Sequence, residues 1–167
     1  PLPPSPPTPL PQGERGAKQQ KCPEQARIRE SEAHYWQAME MSPQAIAIHT
    51  NGKIIYANPA WLHLIGADTR EQIQGMPILD FANPEYRLVV AERIQRIITE
   101  NQPSPITEQK LRRLDGTDIN VEIAGIPFLY EGQPAVQVIA RDITESVRAE
   151  AALLAAKDPL EAVLDAI

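Results

Sequence analysis

Three β-leaning runs, Ile106–Leu114, Asp118–Ile123 and Ala135–Arg141, follow one another with turns at Asp115-Gly116 and near Glu131-Gly132. With no helical segment between them they cannot be parallel neighbours, which need a long crossover, so the sequence predicts an antiparallel meander. In the middle run Ile119, Val121 and Ile123 alternate with Asp118, Asn120 and Glu122, the mark of a strand with one dry face and one wet face. The last run sets Val136, Val138 and Ala140 on one side and Ala135, Gln137 and Ile139 on the other. It then passes without a loop into helix-start chemistry at Asp142-Ile143-Thr144-Glu145. Asp142 can cap, Glu145 sits where a capping box needs it, and Thr144 is a second cap candidate. A strand that runs straight into a polar helix couples what the sheet feels to what the helix touches.

The meander is preceded by a hairpin and several helices. Ala45–His49 and Lys53–Ala57 flank Asn51-Gly52, a type I′ turn signal. Asn58-Pro59 breaks the second strand and starts a helix carrying Trp61, Leu62, Leu64 and Ile65, which Gly66 stops. Thr69–Ile73 reads as another short helix, with Gln72 three residues after the Thr69 cap and Gly75 beyond it. Pro84–Asn101 is the longest internal helix, with Tyr86, Val90, Ile94, Ile97 and Ile98 as its apolar stripe; Arg87, Glu92, Arg93 and Arg96 are expected to face water. The fold class is therefore α+β, a five-stranded antiparallel sheet with helices on one face.

Flanking segments complete the domain plan. Residues 1–27 read as a Pro-rich disordered linker; Pro1 to Pro11 favours extended polyproline II, and the lack of a basic residue there weighs against an SH3-type ligand. Residues 28–41 form a leading helix with Ile28, Tyr35 and Met39 at helical spacing, ended by Pro43. The domain proper covers 42–145. Residues 146–167 form an exit helix to about Lys157, interrupted at Asp158-Pro159 and running toward a further apolar stripe of Leu160, Val163, Leu164 and Ile167.

Composition removes several function classes. A net charge of −6 argues against a nucleic-acid surface. No apolar run approaches the ~20 residues that span a bilayer. The single Cys22 permits no intrachain disulfide and fits a reducing, cytoplasmic setting. Ser42, Ser104 and Ser146 lie in no Gly-x-Ser-x-Gly elbow, and no phosphate-binding loop occurs, so no enzyme is expected. His34, His49 and His63 have no ligand spacing, so no metal site is expected.

In order along the chain stand Gly52-Lys53-Ile54-Ile55-Tyr56-Ala57-Asn58-Pro59-Ala60, Leu64-Ile65-Gly66, Ile73-Gln74-Gly75 and Asp80-Phe81-Ala82-Asn83-Pro84-Glu85-Tyr86-Arg87. Leu111-Arg112-Arg113-Leu114-Asp115-Gly116-Thr117, Tyr130-Glu131-Gly132 and Arg141-Asp142-Ile143-Thr144-Glu145 follow. Together, over roughly Ser31–Glu145, they resemble the PAS family of bacterial sensory domains. The resemblance implies a small cavity between sheet and helices. It also implies a place upstream of a histidine kinase, a diguanylate cyclase or a transcription factor. It disfavours haem, because relatives that hold it carry a histidine on the long internal helix and Pro84–Asn101 has none. It disfavours flavin too: Cys22 lies outside the domain, and Ala140 stands where flavin-binding relatives carry glutamine. Leu160–Ile167 resembles the opening helix of a second such domain and can be laid beside Tyr35–Ser42; a kinase dimerisation helix is the alternative.

The expected lining of the cavity is Val136, Val138 and Ala140, with Ile119 and Val121 beside them and Val90, Ile94 and Ile97 from the helix above. The same residues suit a plain core or a pocket for a small apolar ligand. Asp142 and Thr144 are the expected signal-relay residues, with Arg112, Arg113 and Arg141 as candidate partners for Asp142. The reading is a non-enzymatic sensory module, homodimeric through its flanking helices, although Glu150 and Lys157 fall at apolar positions of a heptad begun at Val147. The alternatives are a ligand-free dimerisation module or a haem or flavin sensor. A buried polar group in the cavity would separate the first from a ligand-binding domain, because dry cores rarely keep one.

Overall fold

The computed structural model describes residues 23–165. The elements are α1 (Pro23–Met41), β1 (Ala45–Thr50), β2 (Lys53–Ala57), α2 (Pro59–Ile65), α3 (Arg87–Glu100), β3 (Thr107–Arg112), β4 (Asp118–Tyr130), β5 (Gln133–Asp142) and α4 (Thr144–Asp165). Short 3₁₀ turns at Arg70–Gln72, Ile78–Phe81 and Pro84–Tyr86 lie between α2 and α3. All strand pairs are antiparallel, in the order β2-β1-β5-β4-β3. The strand that leads into α4 is thus the middle strand of the sheet.

Local chemistry explains most boundaries. Asn51 and Gly52 both take positive φ, 51° and 75°, and close the β1–β2 hairpin. Pro59 opens α2, where its missing N–H costs nothing, and Gly66 closes it at φ 75°. The ladder of β4 against β5 runs much further than the alternation of Asp118–Ile123 suggests, through Gly125↔Val138 and Pro127↔Val136. Pro127 is tolerated because β3 ends opposite Ile123, leaving that side of β4 open beyond it.

Three further boundaries differ from expectation. The leading helix starts at Pro23 rather than residue 28, with Pro23 and Glu24 suiting a first turn; residues 1–22 lie outside the described residues. The long internal helix opens with a separate 3₁₀ turn, and α3 proper begins at Arg87. Asp158-Pro159 does not interrupt α4, whose backbone stays helical to Asp165. Proline there removes only its own bond to the Ala155 carbonyl. The segment offered as the start of a second domain falls on residues whose side chains lie outside the described ones.

Among the described residues the chain divides into two compact units, one ending at Ala38 and the other beginning at Met39. In the first, Tyr35 and Trp36 meet edge to face at 6.1 Å. In the second, a core gathers on one face of the sheet, with Trp61, Ile65, Ile73 and Phe81 from the helical side against Ala47, Ile54, Val121 and Val136.

A small apolar cavity and an exit joint

A cavity of ≈ 40 Å³ lies between α3 and the sheet. From α3 it is lined by Val90, Arg93, Ile94 and Ile97, an i, i+3, i+4, i+7 set that shares one helix face. From the sheet come Gln109 and Leu111 of β3, Ile123 and Gly125 of β4, and Val136 and Val138 of β5; Trp61, Ile78 and Phe81 close the remaining side. Of the expected lining, Val90, Ile94, Ile97, Val136 and Val138 border this space. Ile119, Val121 and Ala140 do not; they are buried in the continuous core beside it.

Gly125 sets how closely α3 meets the sheet. An added Cβ there would stand 2.7 Å from Ile97 Cδ1 and 3.2 Å from Val136 Cγ1, so its missing side chain lets α3 approach the sheet at that point. The chain is held there from the other side as well. Ser104 Oγ accepts the Gly125 N–H and the Ser104 N–H donates to the Gly125 carbonyl, both at 2.8 Å. Ser104, one of the hydroxyls considered as a nucleophile, thus anchors the α3–β3 connection. At the start of α3, Asn83 is equally fixed: its amide donates to Asp118 Oδ2 at 2.7 Å while its carbonyl oxygen caps the Glu85 N–H at 3.0 Å.

Arg93 corrects the expectation that it faces water. It turns into the cavity wall and donates from Nη1 to Gln109 Oε1 at 2.9 Å, and Gln109 is itself buried. Burial lowers the Arg93 pKa, yet a guanidinium stays charged. Trp61 is fully buried, and its Nε1–H has no acceptor among the described residues. An orphaned buried donor costs about 1–3 kcal/mol. Sequence reasoning missed all three residues, although Arg93 occupies the i+3 place of the stripe begun at Val90 and Gln109 shares strand parity with Leu111.

His49 is buried on β1, opposite Val136, with its Nε2 unpartnered. Burial pushes its pKa down to about 4, so it is neutral at pH 7. Near the end of α1, Glu40 takes the Tyr56 hydroxyl at 2.7 Å and pairs with Arg70, whose guanidinium holds the Glu40 carboxyl below its usual range. Among the described residues no cluster of three His, Cys, Asp or Glu is placed to hold a metal, and no helix is long and apolar enough to cross a membrane.

The exit joint is built at Asn120. The Ile143 N–H donates to the Asn120 carbonyl at 2.9 Å, and the Asn120 N–H donates to Thr144 Oγ1 at 3.3 Å. Asp142 Oδ1 accepts the Thr144 N–H at 2.9 Å. Among the described residues Asp142 pairs with no arginine: Arg112 is paired with Asp118 and Arg141 with Glu122. Its carboxylate is occupied as a helix cap.

A half-buried cavity under one helix, on a sheet whose central strand becomes an exit helix, is the build of a small sensory domain. The chain belongs to the PAS domain family, whose model matches residues 43–145. Sporulation kinase A of Bacillus subtilis is 33% identical over 110 residues, which cover 66% of this chain and 18% of the kinase. The chain thus spans about a fifth of that relative's length. The solved PAS domain of a Colwellia psychrerythraea protein superposes with a TM-score of 0.60 at 22% identity, covering 71% of this chain and 98% of that one. A domain of a sensory box sensor histidine kinase/response regulator from Geobacter sulfurreducens superposes at 0.56 with 21% identity, covering 69% and 96%.

Proposed function

We propose that this PAS domain is the sensory module of a multidomain, cytoplasmic signalling protein, a histidine kinase by its relatives, and has no catalytic activity of its own. Its cavity takes a small, mostly apolar molecule, and occupancy alters how α4 leaves the sheet through Asp142 and Thr144. The observation that carries this reading is an apolar space left between α3 and the central strand that leads into α4, with Trp61, Arg93 and Gln109 among the residues at its border. A domain that only joined two chains would gain stability from filling that space. Haem and flavin fit poorly, since α3 carries no histidine and ≈ 40 Å³ holds only a few non-hydrogen atoms. Homodimerisation is supported by α4, whose Leu153 and Leu154 stand about 60% exposed.

Gly125→Ala tests the cavity. The new methyl pushes the flexible end of Ile97 into the space. Native mass spectrometry of the purified chain should show a small bound mass that the variant loses. A variant that keeps the adduct, or a wild-type chain without any after exposure to small organic molecules, contradicts the reading.

A further inference from the structure

The way into the cavity follows from what lies on either side of α3, given that the cavity is a ligand site. Two surface grooves flank the helix, and each shares two side chains with the cavity. One, of ≈ 340 Å³, lies between α3 and the connection that follows it, and shares Arg93 and Ile97. The other, of ≈ 770 Å³, lies between α3, the β1–β2 turn and the start of β5, and shares Ile78 and Ile94. A side chain that lines both a groove and the cavity is the partition between them.

The first partition is fixed in place. Arg93 is held by Gln109 Oε1 at 2.9 Å. Ile97 is 3% exposed and lies against Gly125, which its two 2.8 Å bonds to Ser104 hold. Moving either side chain breaks a hydrogen bond or displaces a close-packed group. The second partition is looser. Ile78 is buried and anchored through its backbone, whose N–H donates to the Gly52 carbonyl at 2.8 Å. The far wall of that groove is tied as well, since Thr50 Oγ1 donates to the Pro134 carbonyl at 2.9 Å. Ile94 alone is free of such ties: it is half-buried, apolar, and on the helix face it shares with Ala91, Gln95 and Ile98. A rotamer change there breaks no hydrogen bond, and side chains near the surface make such changes within nanoseconds.

We propose that small molecules enter the cavity from the groove between α3 and the β1–β2 turn, with the Ile94 side chain as the moving leaf of a gate and Ile78 as its fixed post. The groove on the other side of α3 does not lead in.

The test uses xenon, a single apolar atom suited to a dry cavity, and reads its entry and exit rates on the full chain by xenon NMR saturation transfer. Ala91→Phe plugs the proposed groove and Val89→Phe the opposite one, and neither residue lines the cavity. Ala91→Phe should slow entry and exit together by roughly ten-fold, leaving the dissociation constant unchanged, whereas Val89→Phe should change neither rate. Ile94→Val, which trims the leaf itself, should speed entry, and Ile97→Val, the same trim at the other partition, should not; this pair decides the question if Ala91→Phe does not fold. Slowing by Val89→Phe, no slowing by Ala91→Phe, or equal acceleration by Ile94→Val and Ile97→Val overturns the proposal while the cavity reading stands. A wild-type chain whose Val136 and Val138 amides do not respond to xenon, with Gly125→Ala indistinguishable from it, contradicts the cavity reading and this proposal together.

Discussion

Asn58 shows how much one residue can hold together. It is wholly buried and uses its side chain four times: Oδ1 accepts the N–H groups of Ile46 and Trp61, and Nδ2 donates to the carbonyls of Met39 and Gln44. It therefore ties the end of α1, the start of β1 and the first turn of α2 to one another. Asn58→Ala removes an N-cap and strands buried backbone groups, so a loss of about 2–4 kcal/mol is expected in denaturant unfolding. The Asn58-Pro59 pair was legible as a helix start because capping is local. The bonds to Met39 and Gln44 were not, because they cross the chain. Arg93 failed to be legible for the opposite reason: its stripe position was local, but only the neighbouring Gln109 made an inward arginine tolerable. His49 gives a second residue-scale expectation. Its pKa falls from the ordinary 6.5 to about 4 in the folded state, so the unfolded chain binds the extra proton between those values. Its contribution is fully present above pH 6.5 and is lost as pH falls through that window, by about 3 kcal/mol. Unfolding free energies of wild type and His49→Gln, measured from pH 4 to 7, should differ by about that amount in their total change over the window.

At the scale of elements, β5 and α4 act as one piece. Val136 and Val138 border the cavity, and a few residues on, the Ile143 N–H and Thr144 Oγ1 clasp Asn120 of β4. Asp142→Ala leaves this clasp but frees the Thr144 N–H from its cap. The fold should survive with a loss of about 0.5–2 kcal/mol, while hydrogen exchange at Thr144 speeds up and output in the parent protein uncouples from its stimulus. Unchanged exchange and unchanged output in that variant would contradict the role given to Asp142. The turn at Asn51-Gly52 and the strand-to-helix switch at Asp142 were readable from sequence because each rests on backbone chemistry within a few residues. The extension of β4 past Ile123 was hidden by Gly125 and Pro127, residues that disfavour strands alone but fit where one side is open and a helix presses close.

At the scale of the whole molecule, the arrangement makes the middle strand of the sheet both a wall of the cavity and the root of the exit helix. The fold was readable because turn residues, alternation and family motifs all pointed to one topology. The part of Arg93 and Gln109 at the cavity border was not, since it depends on two elements meeting. The account's central claim is that filling the cavity is felt at the start of α4. The most direct measurement is an amide NMR titration of the full chain with 1-propanol. The account predicts that the amides of Val136 and Val138 and those of Ile143 and Thr144 shift together, saturably and with one dissociation constant. Shifts that stop at Val136 and Val138, or that follow a different constant at the joint, would contradict it.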